Sequence, residues 1–206
     1  MSLGLSLIWL VFGWLHGVDS PGDKVHYQEF EIAVTAAKIT IGGTTNVNRF
    51  NCSMSLRNSG DTLNITSEFR SDTLKFAGLF LKFPISQFDC GLQVMNQDFQ
   101  EFLKADEYPE LLMAIDQMVI NRNASLMEKV SVKSRIYINL CGKNKEYDIA
   151  NAYVMELPHE EIKLACQETV RFTDFDLMPP TKFFGTIKVA DELSILLDID
   201  MHVRPI

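Results

Sequence analysis

A two-residue rhythm returning along most of the chain limits its fold more than any other feature. Phe50, Cys52, Met54 and Leu56 alternate with Asn51, Ser53 and Ser55, the pattern of a strand with one face buried and the other wet. Val130, Val132, Ile136, Ile138 and Leu140 alternate with Ser131, Lys133, Arg135, Tyr137 and Asn139. From Leu193 to Val203 the apolar side chains again fall on every second position, and Leu196 alone breaks the phase. Further candidate strands cover residues 27–36, 62–70, 79–88, 111–120, 146–156, 161–172 and 183–189, which makes about ten.

Turn residues punctuate these runs: Gly42-Gly43, Asn58-Ser59-Gly60, Asn121 to Ser125, Gly142-Lys143-Asn144 and Ala190-Asp191-Glu192. So many half-buried strands with short connections favour an antiparallel meander, and closing it into a barrel removes the edges that would invite aggregation. The predicted fold is therefore all-β, a barrel rather than a sandwich. One segment differs. Phe99, Phe102 and Leu103 share a helical face, so a short helix is expected over 97–104 with Asn96 as its N-cap, and Pro109 limits its extension.

Residues 1–20 read as a signal peptide, because an apolar run extends from Leu3 to Leu15 and no charged side chain precedes Asp19. As a helix the run would span about 20 Å, short of the ~30 Å hydrocarbon core, so no permanent membrane anchor is expected. Residues 21–206 read as one domain, since no repeat or low-complexity linker divides them, and a chain of this size buries a core unaided. Acidic residues outnumber basic ones, 27 to 19, with no cluster of Lys or Arg among aromatics. Nucleic acid is not an expected partner.

Cys52, Cys90, Cys141 and Cys166 form an even set compatible with two disulfides in an oxidising compartment, and three connectivities are possible. Their wide spacing, with no nearby histidine, is not that of a metal site, and no metal or cofactor is expected. Catalytic patterns are missing too. His159-Glu160-Glu161 lacks the second histidine of a helical zinc motif, and no glycine-rich phosphate loop or Gly-x-Ser-x-Gly elbow occurs. Asp174 and Asp176 flank Phe175 on opposite faces of an extended segment, which does not pair them for acid and base work. No catalytic residue is assigned.

Gly43-Thr44-Thr45-Asn46-Val47-Asn48 with Phe50 and Cys52, then Met95 to Leu103 with Tyr108-Pro109, resembles the YceI-like family of secreted polyisoprenoid-binding proteins. Asp174 to Pro180, Gly185 to Val189 and the final alternating strand continue the resemblance in order across about Phe30 to Val203. The chain is similar to the cysteine-bearing branch, with Thr35-Ala36-Ala37-Lys38 where another branch carries a histidine pattern. The resemblance implies an extended lipocalin-like barrel of about eight antiparallel strands, one associated helix and an elongated apolar cavity, with some strand candidates merging. It also implies an exported, periplasmic or secreted protein. Cys52 and Cys90 flank the two segments that carry most of it, which favours their pairing and leaves Cys141 for Cys166, although strand parity turns those two to opposite faces.

Phe50, Met54, Leu111, Met113, Ile136, Ile138, Leu197 and Ile199 are the candidate cavity lining, and Asn46, Asn48 and Lys104 the candidate headgroup donors. A dozen buried methylenes at ~0.8 kcal/mol each supply on the order of 10 kcal/mol before association costs, so a lipid site needs no further motif. The expected function is non-enzymatic binding of an apolar lipid, such as an isoprenoid quinone or polyprenyl chain. The alternative is an envelope interaction module whose barrel is filled by its own side chains. The sequence leaves the oligomeric state open.

Overall fold

The computed structural model describes residues 26–57, 62–70, 73–126, 129–157, 161–182 and 185–205. The expected signal peptide, the 58–60 turn, and His159 with Glu160 lie outside the described residues. The elements in chain order are β1 (His26–Thr45), β2 (Arg49–Arg57), β3 (Thr62–Arg70), β4 (Thr73–Pro84), α1 (Gln93–Phe102), β5 (Glu110–Leu126), β6 (Lys129–Leu140), β7 (Lys143–Leu157), β8 (Glu161–Arg171), β9 (Thr181–Lys182) and β10 (Ile187–Pro205). Every pairing is antiparallel.

β1 closes the sheet by using both of its edges. One edge pairs with β10, from Phe30 opposite Pro205 to Thr45 opposite Val189. The other pairs first with β3 and then with β2, where Ala33 faces Thr62 and Ala36 faces Arg57. β2 and β3 thus run as one interrupted strand, and the wall is a nearly closed barrel of eight antiparallel strands, as the periodicity and the resemblance imply.

Several expected boundaries move. The predicted 183–189 and 193–203 strands are not separate: 187–205 is continuous in β10, and Ala190 to Glu192 lie within it rather than in a turn. One residue of β1, Thr44, against three of β10, Ala190 to Glu192, between Gly43/Leu193 and Thr45/Val189, absorbs the surplus as a bulge. Asn121 to Ser125 likewise fall inside β5, across a register shift. Between β6 and β7 the turn is Cys141-Gly142, with φ of 50° and 73°, so Lys143 and Asn144 already belong to β7. A two-residue loop with positive φ at both positions matches the twist of the strands it joins.

The helix starts earlier than the 97–104 segment predicts. Leu92 is its N-cap, and Asn96 sits inside it, where its Oδ1 accepts the Cys90 N–H at 2.7 Å. Asn96 therefore braces the chain leading into the helix instead of capping it. The predicted apolar face is real: Phe99 packs on Phe88 with centroids 5.3 Å apart, Phe102 meets Phe172 edge-on at 4.9 Å, and Leu103 is buried.

Gly43 faces inward opposite Phe50, and the Phe50 ring lies against its backbone. A Cβ at Gly43 would stand 2.3 Å from Phe50 Cζ and 3.0 Å from Leu193 Cδ2, so glycine is what lets the ring lie there. Gly43→Ala is expected to destabilise the protein by ~1–3 kcal/mol through overpacking, read as a lower urea midpoint at unchanged m-value.

Candidate functional site

Registers around the barrel align inward-facing side chains into a belt. Met54 stands opposite Ile39, Ile39 opposite Leu197, Leu197 opposite Cys166, Cys166 opposite Ala152 and Ala152 opposite Val132. All are buried except Cys166, which is half-buried. The cavity candidates lie on this interior surface. Met113 pairs with Ile138, Ile136 with Ile115, and Ile199 with Ala37. Met54, Leu111, Met113, Ile136, Ile138, Leu197 and Ile199 are each at most 3% exposed, and Phe50 packs against them in one continuous core cluster.

One end of the barrel is closed by tertiary contacts. β2 has β1 as its strand neighbour, and its other edge meets Asp89, with Ser53 and Asp89 exchanging backbone bonds of 2.9 and 2.8 Å. The Cys52–Cys90 disulfide crosses beside this bridge, as the resemblance favours. It spans 38 residues, worth about 4 kcal/mol in the chain-entropy model. The remaining expected bridge does not form: Cys141 and Cys166 are free thiols. Cys166 stands opposite Ala152 while Cys141 precedes β7, so about 30 Å of strand separates them at ~3.3 Å per residue. A disulfide reaches only ~7 Å between Cα atoms. Cys141 instead donates its thiol to the Leu103 carbonyl at 3.1 Å.

The three candidate headgroup donors are occupied with the backbone or stand in a turn. Asn46 clasps the start of β10, donating to Thr186 O and accepting from Lys188 N at 2.9 Å each. Asn48 Oδ1 accepts the Arg49 N–H at 2.8 Å, and exposed Lys104 holds a left-handed turn position after α1.

The ladder between β7 and β8 covers only part of their length. It runs from Leu157 opposite Glu161 to Ala152 opposite Cys166 and stops there, although β7 continues down to Lys143 and β8 up to Arg171. A bulge in β7 marks the place, since Ala152 pairs with Val132 and Ile149 with Ser134, which leaves Ala150 and Asn151 outside the regular alternation. Beyond the break the strands are bridged at the closed end by a 3₁₀ turn, Phe172–Phe175, with Phe172, Phe175 and Leu177 buried. Tyr147 of β7 donates to Asp174 Oδ2 at 2.8 Å, and Lys143 pairs with Asp176 at 2.6 Å. The two aspartates thus hold the turn to β7 rather than simply facing water.

At the end of the ladder lies a cleft of about 630 Å³. Its lining comes from both faces of the sheet: inward Ala152, Cys166 and Leu197, and outward Ser131, Tyr153, Ala165, Leu196 and Asp198, with Ala150, Asn151 and Gln167 at the break. Leu197 is the one cavity candidate that lines it. Sequence reasoning missed the rest because Ala and Cys carry little hydrophobic signal, yet the off-phase Leu196 pointed there. Burial first, then the carboxylates of Asp198 and Glu168, pushes the Cys166 thiol up to about 12. Burial, then the hydrogen bond to Asp174, also raises the Tyr147 phenol. Among the described residues no group of three or more His, Cys, Asp and Glu side chains could hold a metal ion, and no helix is long and apolar enough to cross a membrane.

The Cys166 shift sets its reactivity. From an ordinary value of 9.0 to about 12 the thiolate fraction at pH 8 falls on the order of a thousandfold. Iodoacetamide should therefore label Cys166 in the folded protein slower than in urea by about that factor, measured by peptide mapping. Labelling at the unfolded rate would mean the thiol stands in bulk water.

No family model matches the sequence, and no curated protein matches it. Solved structures do. A polyisoprenoid binding domain from Saccharophagus degradans implicated in plant cell wall breakdown is 9% identical, with a TM-score of 0.58 over 85% of this chain and 98% of that one. BcnA of Burkholderia cenocepacia is 13% identical over 80% of this chain and 95% of its own, with a TM-score of 0.46. The Campylobacter jejuni YCEI protein is 11% identical over 89% of this chain and 86% of its own, at 0.40. At these identities the likeness is one of fold: the chain has the barrel architecture of the Saccharophagus degradans domain.

Proposed function

We propose that this chain is an exported, non-enzymatic lipid-binding protein of the YceI-like kind, holding an isoprenoid or similar apolar chain inside the barrel. The observation that carries the reading is a cleft of about 630 Å³ in the barrel wall, whose lining includes inward-facing Ala152, Cys166 and Leu197, within the ~300–1,000 Å³ of small-molecule sites. Met54 and Leu197 on the belt, with Met113, Ile136, Ile138 and Ile199 beside them, would contact the chain, and Leu111 and Phe50 would bound it toward the closed end. Methionine thioethers adapt to an irregular flexible ligand. The polyisoprenoid-binding neighbour adds support through its shared fold. The Cys52–Cys90 disulfide fits an oxidising compartment, and with it the reading of residues 1–20 as a leader and of 21–206 as one exported domain.

Native mass spectrometry of the protein purified from its own envelope fraction, followed by organic extraction, tests the proposal. A stoichiometric prenyl or acyl lipid is expected. A clean apo mass that quinones and polyprenyl lipids leave unmoved would replace this reading with that of an interaction module with a filled barrel. Ile138→Trp should block uptake while the protein still folds. If the interior is already filled, the same change should instead cost ~1–3 kcal/mol of stability.

A further inference from the structure

Resting on the lipid-binding reading, a second feature of the β7–β8 break bears on which lipid fits and how it gets in. The interior belt is bulky on one side, with Met54, Ile39 and Leu197, and small at the break, with Cys166 and Ala152. The outer lip is apolar where the alternation calls for polar residues: Leu196 is 43% exposed, and outward-facing Ala165 is buried. Small side chains therefore line both faces of the wall at the one place where β7 and β8 part. The polar groups around them are amides, hydroxyls and one carboxylate, from Asn151, Gln167, Ser131, Tyr153 and Asp198, with no Lys or Arg in the lining.

The surrounding charges sharpen the contrast. Glu168 follows the break on β8, and its Oε1 accepts the Thr169 N–H at 2.8 Å. Lys163 pairs with Asp200 at 3.3 Å, and Lys38 stands opposite Asp198 in register. Lys133, on β6 across from the bulge, is not part of the lining. A dianionic head would sit beside Asp198 with no Lys or Arg in the lining, which is unfavourable in a partly desolvated site. A hydroxyl or carbonyl head would find neutral donors and acceptors.

We propose that the β7–β8 break is a side door of the barrel, through which a chain bearing an uncharged polar head passes to the interior, and that it selects against phosphorylated heads. The apolar tail passes Ala152 and Cys166, and the head stays at the rim formed by Asn151 and Gln167. Both rim residues are exposed and can be altered without touching the core.

The full chain, stripped of lipid, is titrated with geranylgeraniol and with geranylgeranyl monophosphate, and binding is read by displacement of a fluorescent probe. The alcohol should bind tighter than the monophosphate by about tenfold or more, and Asn151→Lys with Gln167→Lys should raise the affinity for the monophosphate relative to that for the alcohol by about tenfold. Ala165→Trp should slow uptake of the alcohol about tenfold by covering the door, with circular dichroism checking its fold; if that variant does not fold, the lysine pair decides. Equal or tighter monophosphate binding, lysine variants without effect on it, or wild-type uptake through a folded Ala165→Trp would each overturn the proposal. Failure of the wild type to bind either lipid is a separate outcome, which overturns the lipid-binding reading and this inference with it.

Discussion

The structure depends on one strand that serves two ladders. β1 runs from His26 to Thr45 and bonds along one edge to β10 and along the other to β3 and then β2. A sheet of long strands left open there would expose two rows of unpaired backbone groups, and closure on β1 removes most of that liability. The strand curves to do so. Its register with β10 slips between Val34 and Ala36 and again between Gly43 and Thr45, and such irregularities bend and twist a strand where a barrel must turn.

Closure leaves two seams, and the chain treats them differently. On the outer edge of β2 the seam is held by the exchanged bonds of Ser53 and Asp89 and by the Cys52–Cys90 disulfide. That seal is covalent, and the Asn96 side-chain Oδ1 that accepts the Cys90 N–H fixes it to the helix. Between β7 and β8 the seal is the 3₁₀ turn with Phe172 and Phe175, tied down by Tyr147 and Lys143 through Asp174 and Asp176. Aromatic contacts extend it, since Phe102 of α1 meets Phe172 edge-on, an arrangement that contributes ~0.5–1.5 kcal/mol beyond area burial. This second seal reaches only part of the way along the gap. The cleft lies where the ladder ends, at Ala152 and Cys166.

Much of the barrel was legible in the sequence. Strand periodicity needs only that each residue alternate between core and water, so β6 and β8 appear almost at their predicted limits and β3 within the same bounds, 62–70. Apolar spacing likewise marked the inward faces of Met113, Ile136, Ile138, Leu197 and Ile199, all of which are buried. Errors gathered at the ends of elements and at bulges. Asp191 has the chemistry of a turn residue, yet it lies within β10, because its carboxylate accepts the Thr173 N–H and hydroxyl at 3.0 and 2.7 Å. That partner lies 18 positions away, and local propensity carries no record of it.

The sequence by itself determined the class of fold, the inward faces of the strands and, through its family resemblance, the pairing of Cys52 with Cys90. Each follows from local alternation or from motifs that keep their order along the chain. Tertiary structure alone decided that Cys141 and Cys166 stand apart, that Asn46 clasps β10, and that the ladder between β7 and β8 ends at Ala152 and Cys166. Where a ladder stops depends on twist, on bulges and on what packs across the gap. Those are sums over distant segments, and small residues such as Ala150, Ala152 and Ala165 reveal their role only once the wall around them is built.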